Sequence, residues 1–349
     1  MLQNAFDTPV SVNPLPAQPD PQIALNLADV AHGTNLSAGQ PDEFRARLSY
    51  LCNQACAHLE QSRIERLYVG SYFCDRFFLS LDQAFFSGIS AFCAEYGLGL
   101  TLVVPIFGQA TLEQGKKRIE ELLGPAAVGR LPFDEAVVND PAMALFLGQI
   151  KQRRQSCQPP APLGLVFGRM MAKTPRDPRY AVMEQSAQPY ALDQALALRL
   201  VEQFGYELAE CDPSAPVVDA SALGGALPLA LHAPHCFMTT GHICQVASIN
   251  RPFVKKFRPD APCGQECLAG VQVYEHHSQD DGHPLWFTRL GRTVFFENPD
   301  CQLVGQRPER LVWAPADFAC ERADVGPATE PDLSWWGPWP EERGGLSWE

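Results

Sequence analysis

The feature that most limits the fold is an alternation of two hydrophobic periods along the chain. Short apolar runs appear at Ile23–Leu27, Leu67–Phe73, Leu100–Phe107, Glu135–Val138, Leu163–Phe167 and Leu227–Leu231. Most are continuously apolar or β-rich, as strands buried on both faces are. Longer stretches with helical spacing separate them, at Pro41–Gln61, Leu81–Tyr96, Thr111–Leu123, Pro141–Arg154 and Ala191–Phe204. Strand, helix, strand in repetition requires crossover connections and parallel pairing. The expected class is therefore α/β, a (β/α) TIM-like barrel.

From Gly270 the pattern changes. "VQVYEHH", "LWFTRLG" and "TVFFENP" alternate and are separated by Asp-Asp-Gly and Gly-Arg turns, which predicts a hairpin or small antiparallel sheet. "RLVWAP" at 310–315 reads as one more strand. The chain divides accordingly into a Pro-rich flexible arm (1–21), a barrel body (22–235), a cysteine-rich segment (236–269), a small β-rich C-terminal part (270–318) and an acidic tail (319–349). That tail holds four of the six tryptophans, which could dock on the body or on a partner.

Composition narrows the function. With 349 residues, 46% of them hydrophobic, the chain can bury a large core. A formal net charge of −13 repels a phosphate backbone, so RNA is not the expected partner. The short basic clusters at Arg153-Arg154, Lys116-Lys117-Arg118 and Lys255-Lys256 with Arg258 read as solvated surface. No apolar run reaches about 18 residues, so no membrane span is expected. The first residues lack a basic stretch followed by an apolar one, so no secretory leader is expected and the reading is cytoplasmic. In that compartment, twelve cysteines point to metal ligation for some and inert burial for others. Cys93, in an apolar helix, belongs to the buried kind.

The densest chemistry lies in "HAPHCFMTTGHICQVASINRPFVKKFRPDAPCGQEC", His232 to Cys267. Its cysteines, Cys236, Cys244, Cys263 and Cys267, follow the spacing C-x7-C-x18-C-x3-C. The last two can converge on one centre from a tight turn supplied by Pro262 and Gly264. Structural zinc sites more often leave two residues between paired cysteines, so the spacing leans toward iron–sulfur, with zinc the alternative. His232, His235 or His242 could complete a mixed zinc site, or serve as loop histidines. His276, His277 and His283 read as a solvated hairpin end.

Polar residues follow the proposed strands repeatedly: Asn26 and Asp29, Cys74 with Asp75 and Arg76, Asn139 with Asp140, Arg169, and His232 with His235. In a parallel barrel those positions share one rim. Asn139, Asp140, Arg169 and Arg76 are the candidates for orienting a substrate, although Asn-Asp-Pro is also a helix N-cap signal. Dinucleotide, Walker, serine-hydrolase and zinc-protease motifs are all missing.

"LPLALHAPHCFMTTGHIC" followed by "PCGQEC" resembles the signature of the collagenase-like U-thirty-two peptidase family, as do "DEAVVNDPAMALFL", "LGLVFGRMMAKTPRDPR", "LGRTVFFENP" and "PERLVWAP", in that order from about residue 20 to about 315. The resemblance implies a (β/α) barrel with a four-cysteine 4Fe-4S cluster. It also implies oxygen-independent hydroxylation of tRNA, ribosomal RNA or the ubiquinone ring, with prephenate as the apparent oxygen donor. Cys236, Cys244 and Cys263 match three cysteines of one ubiquinone-pathway subunit type. Cys244, Cys263 and Cys267 match three of its partner, whose fourth ligand follows an early barrel strand, where this chain has Cys74. Cys301 is a further candidate. The chain departs from the pattern at His242, where an arginine is usual, and in the long loop before Cys263. The expectation is an iron–sulfur hydroxylase-type protein, one half of a heterodimer with a homologous subunit, acting on a small or lipid-like substrate, with arginines suited to a dicarboxylate such as prephenate. The alternatives are a non-catalytic partner subunit with a structural cluster or zinc and, last, a true peptidase.

Overall fold

The structure, a computed structural model, describes residues 20–28, 41–59, 63–171, 188–189, 194–212, 214, 217–219, 227–244, 246–248, 251–252, 258, 263–265, 267, 272–277, 284–297, 302–304 and 308–315. The strands in chain order are β1 (Gln22–Asn26), β2 (Arg66–Gly70), β3 (Gly99–Val104), β4 (Glu135–Val138), β5 (Gly164–Phe167), β6 (Gln188–Pro189), β7 (Tyr206–Cys211), β8 (Val217–Asp219), β9 (Leu229–Ala233), β10 (His235–Thr240), β11 (Gln272–His277), β12 (Pro284–Leu290), β13 (Thr293–Glu297), β14 (Gln302–Val304) and β15 (Arg310–Trp313). The helices are α1 (Pro41–His58), α2 (Asp75–Ser80), α3 (Gln83–Tyr96), α4 (Leu112–Leu123), α5 (Pro141–Gln155) and α6 (Gln194–Phe204). Eight strands close an all-parallel barrel in the order β1-β15-β9-β7-β5-β4-β3-β2, compatible with a TIM-like barrel.

The two-residue period of each strand divides the core in two. Ala24, Tyr68, Val103, Val137, Val166, Leu208, Ala230 and Val312 share one buried cluster, one from each barrel strand. Their neighbours, such as Leu25, Leu67, Leu102, Ala136 and Leu165, pack instead with helix residues including Leu48, Phe86, Ile119 and Leu147. Local signals set the helix ends. Asp82 accepts from the Phe85 amide at 2.7 Å ahead of α3, and Gly97 ends that helix at φ 65°.

Two expectations are corrected. The barrel body does not end at residue 235, because β15 pairs in parallel with both β1 and β9 and closes the ring. The strand β7 went unrecognised because Glu207 and Glu210 interrupt its apolar run. The antiparallel sheet was expected from β11, β12 and β13; its order is β10-β13-β12-β11, so it takes its fourth strand from the cysteine-rich segment. A small third sheet joins β14, β8 and β6. The tail (319–349) and all but residues 20–21 of the arm lie outside the described residues. Among the described residues no helix is long and apolar enough to cross a membrane.

The N-terminal end of the barrel is floored by ion pairs. Arg310 grips Glu135 through both terminal nitrogens at 2.7 and 2.9 Å and reaches the Tyr68 hydroxyl oxygen at 2.7 Å. Arg66 grips Asp134 at 2.6 and 2.8 Å, and the Thr101 hydroxyl donates to Glu135 at 2.9 Å. These bonds cross-link the starts of β2, β3, β4 and β15, which suits a stabilising face.

Candidate functional site

The other end is built differently. β2 stops at Gly70, whose φ of 117° and 2.3 Å clearance from the Val103 carbonyl to a would-be Cβ admit only glycine. The chain turns there, with the Ser71 hydroxyl accepting from the amides of Phe73 at 3.3 Å and Cys74 at 3.0 Å. Cys74 thereby becomes the N-cap of α2, its sulfur accepting from the Phe77 amide at 3.4 Å. Across from it, the chain after β10 presents Cys244, whose sulfur accepts from the Ala247 amide at 3.4 Å. Cys263 accepts likewise from the Gln265 amide at 3.4 Å, and Gln265 takes φ 60° to turn the chain toward the buried Cys267.

Cys74, Cys244, Cys263 and Cys267 line one cavity of about 620 Å³, its open mouth included. Arg76, Arg258 and Arg292 line it as well. Among the described residues, no three His, Cys, Asp or Glu groups converge as the ligands of a single ion would. The four thiols surround a space instead. Burial pushes the Cys74 thiol up to about 11 and Cys267 to about 12, and raises Cys244, against the lowering pull of Arg292 on Cys74 and Cys244. Cys74, Cys244 and Cys267 are therefore held toward the protonated form, and a metal centre binding there would displace those protons.

Cys236, expected among the ligands, does not line this cavity. It lies on β10, opposite Phe296 of β13, and alternation turns it into a small apolar cluster with Phe287, Val294 and Phe296. Its neighbour Phe237 faces the barrel instead. Cys74, named as a substitute, is the thiol that joins the other three; Cys301 lies outside the described residues. His242 lines the cavity, whereas His276 and His277 sit on β11 opposite Leu285 and Pro284, and His283 is not described.

Beneath an aromatic wall lies a second, fully buried polar cluster. Phe73 stacks within 5.0 Å of Phe237 and 5.3 Å of Phe295, and Arg169 lies over Tyr72 at 4.4 Å and Phe73 at 5.1 Å. Arg169 donates to Asp212 at 3.0 Å. The Tyr72 hydroxyl donates to Glu210 at 2.6 Å, and Glu210 also meets His232 at 3.2 Å and the Arg169 amide at 3.2 Å. Burial opposes the Glu210 charge, but His232, Tyr72 and Arg169 outweigh it and hold its pKa below the ordinary value. Burial, followed by Arg169, lowers the pKa of His232, against the raising pull of Glu210 and Asp212.

The remaining candidates separate by role. Asn139 is buried, donating to the Val104 carbonyl at 3.0 Å and accepting from the Met170 amide at 3.4 Å. Asp140 caps α5, accepting from the Ala142 amide at 2.7 Å. Arg76 faces the cysteine cavity. Sequence reasoning missed Glu210, Asp212 and Arg292: Glu210 because a charged residue in a strand reads as a break, Asp212 because it follows that unrecognised strand, and Arg292 because Gly-Arg reads as a plain hairpin turn. Comparison with models of protein families and with curated proteins gives no match.

Proposed function

We propose that this chain is an iron–sulfur protein of the U-thirty-two peptidase-like type, a (β/α) TIM-like barrel serving an oxygen-independent hydroxylation or a related biosynthetic step. One observation carries the reading: four cysteines from three separate stretches of sequence line a single cavity at the C-terminal end of the barrel. The donor set fits a 4Fe-4S cluster, since four thiols are present and three of the sulfurs accept backbone N–H bonds of the kind that tune such a centre. Cys74, Cys244, Cys263 and Cys267 would hold it. A cluster bound there supplies electron transfer to or from the reacting molecule.

The chain's own side chains supply the rest. Arg76 and Arg258 face the cavity, and among the described residues neither has an ion-pair partner, so both are available to a carboxylate. That supports a small anionic co-substrate such as prephenate. Arg169 is committed to Asp212 and wedged among Tyr72, Phe73 and Phe237, so it positions the wall between cavity and buried acids. Phe73 and Phe295 line the cavity and keep water from the reacting face. The acidic balance favours a small or lipid-like substrate, and a homologous partner subunit, over RNA.

The test is anaerobic purification followed by iron, sulfide and zinc determination. A brown protein with about four irons and four sulfides per chain is expected. A colourless, zinc-loaded chain would replace this reading with that of a structural, non-catalytic subunit.

A further inference from the structure

We propose that Arg292, at the tip of the β12–β13 hairpin, is a positioning residue for the cysteine-lined centre: it clamps the Cys74 turn through Asp75 and supplies a fixed positive charge that sets the centre's reduction potential. This rests on the iron–sulfur reading above.

The clamp joins elements far apart in sequence. Arg292 donates through Nε to the Phe73 carbonyl and pairs through Nη2 with Asp75 Oδ1 at 3.3 Å. Only 9% of its side chain and 6% of that of Asp75 are exposed, so the pair is held where water screens it poorly. Asp75 is itself fixed: it accepts from the Thr111 hydroxyl at 2.6 Å, the Gly108 amide at 3.2 Å and the Arg76 amide at 3.0 Å. The hairpin tip also meets the far side of the cavity. Gly291, at φ 58°, would place a Cβ 3.8 Å from the Cys267 sulfur. Arg292 thus stands between the turn that carries Cys74 and the segment that carries Cys267, and its charge reaches the Cys74 and Cys244 sulfurs.

The consequence for a redox centre follows from charge alone. Four thiolates outweigh the positive core of the cluster, leaving the bound unit an anion, and taking up one electron adds a further negative charge. A buried guanidinium therefore stabilises the reduced form more than the oxidised one and raises the potential; Asp75 works in the opposite sense. Arg76 and Arg258 share the cavity, but with no ion-pair partner among the described residues they lack this fixed placement.

The experiment compares full-length wild type, Arg292→Lys, Arg292→Gln and Asp75→Asn, reconstituted anaerobically with iron and sulfide. Iron per chain and the midpoint potential are read by spectroscopic redox titration. Arg292→Gln is expected to lower the potential and to retain severalfold less iron. Arg292→Lys restores the charge and returns the potential toward wild type. Asp75→Asn weakens the same clamp yet raises the potential. Opposite shifts from two variants that break one ion pair are what a purely structural role would not produce. Should Arg292→Gln hold no iron, Arg292→Lys and Asp75→Asn decide the matter: a near-wild-type potential in the first with a raised one in the second upholds the proposal, and an unmoved or lowered potential in Asp75→Asn overturns it. Unmoved potentials, or shifts of the same sign at positions 292 and 75, overturn the proposal. A wild-type chain that takes up no iron sinks the iron–sulfur reading itself, a result distinct from iron that binds with a potential indifferent to Arg292.

Discussion

The two ends of the barrel spend their charges in opposite ways. At the floor, Arg310, Glu135, Arg66 and Asp134 are matched to one another in bidentate pairs. At the mouth, thiols and the guanidinia of Arg76 and Arg258 face a shared space, while Asp75, paired with Arg292, and the acids below the aromatic wall are engaged. Polar groups that satisfy each other stabilise a fold, whereas groups aimed into a cavity wait for a ligand. The contrast can be broken experimentally, starting with the sulfurs. Cys74→Ala and Cys263→Ala are expected to lose all iron, while Cys236→Ala, which alters only the apolar cluster behind the sheet, keeps the full complement. Iron retained in Cys74→Ala, or lost in Cys236→Ala, would show that the mouth is organised around a different sulfur.

The next largest effect belongs to the floor. Glu135→Ala leaves Arg310 buried without its carboxylate, and breaking a buried pair from one side costs about 3–5 kcal/mol. Chemical denaturation should show that loss, with iron per folded chain unchanged. Were the iron content to fall with the stability, the two ends could not be treated as separate.

How much of this was legible in the sequence depends on where polarity interrupts a strand. β1 to β5 and β9 stand out because their runs are continuously apolar, and the β11–β13 sheet because its residues alternate. β7 was lost because Glu210, the acid it delivers to the mouth, breaks the hydrophobic period. The site residue hid its own strand. Closure by β15 was hidden for another reason: pairing Gln22 with Arg310 is a contact between chain ends, and local periodicity carries no information about it. Three of the four cavity thiols were visible from spacing. Cys74, and not Cys236, lines the cavity with the other three because strand pairing, not proximity in sequence, decides which way a side chain points.

A pH titration sharpens the comparison at intermediate cost. His235, at the start of β10, is buried, and that burial lowers its pKa from 6.5 to about 4. Above pH 6.5 neither folded nor unfolded chain protonates it, so it adds no pH dependence to stability there. Between 6.5 and about 4 only the unfolded chain takes the proton, so stability falls by about 3 kcal/mol as the pH drops through that window. His235→Gln should flatten this part of the stability profile relative to wild type. Glu135→Ala should leave its slope unchanged. Parallel wild-type and His235→Gln curves would mean that the histidine is not excluded from protonation in the fold.

The smallest effect separates Asn139 from Asp140, neighbours at the end of β4 that the sequence offers as one functional pair. Asp140 accepts from the Ala142 amide at 2.7 Å, ahead of Pro141 at the first turn of α5, and its side chain serves as a helix cap. Asp140→Ala should cost about 1 kcal/mol of stability and leave iron binding and potential untouched. Asn139 sits one residue earlier and on the inner face, bonded to the Val104 carbonyl and the Met170 amide beside Arg169. Its replacement by alanine should cost more, because it leaves the buried Val104 carbonyl and the half-buried Met170 amide without this partner. If Asp140→Ala instead altered the cluster or its turnover while stability held, the cap would have to be reassigned to the mouth, and the division between structural rim and reactive cavity would shift by one residue along β4.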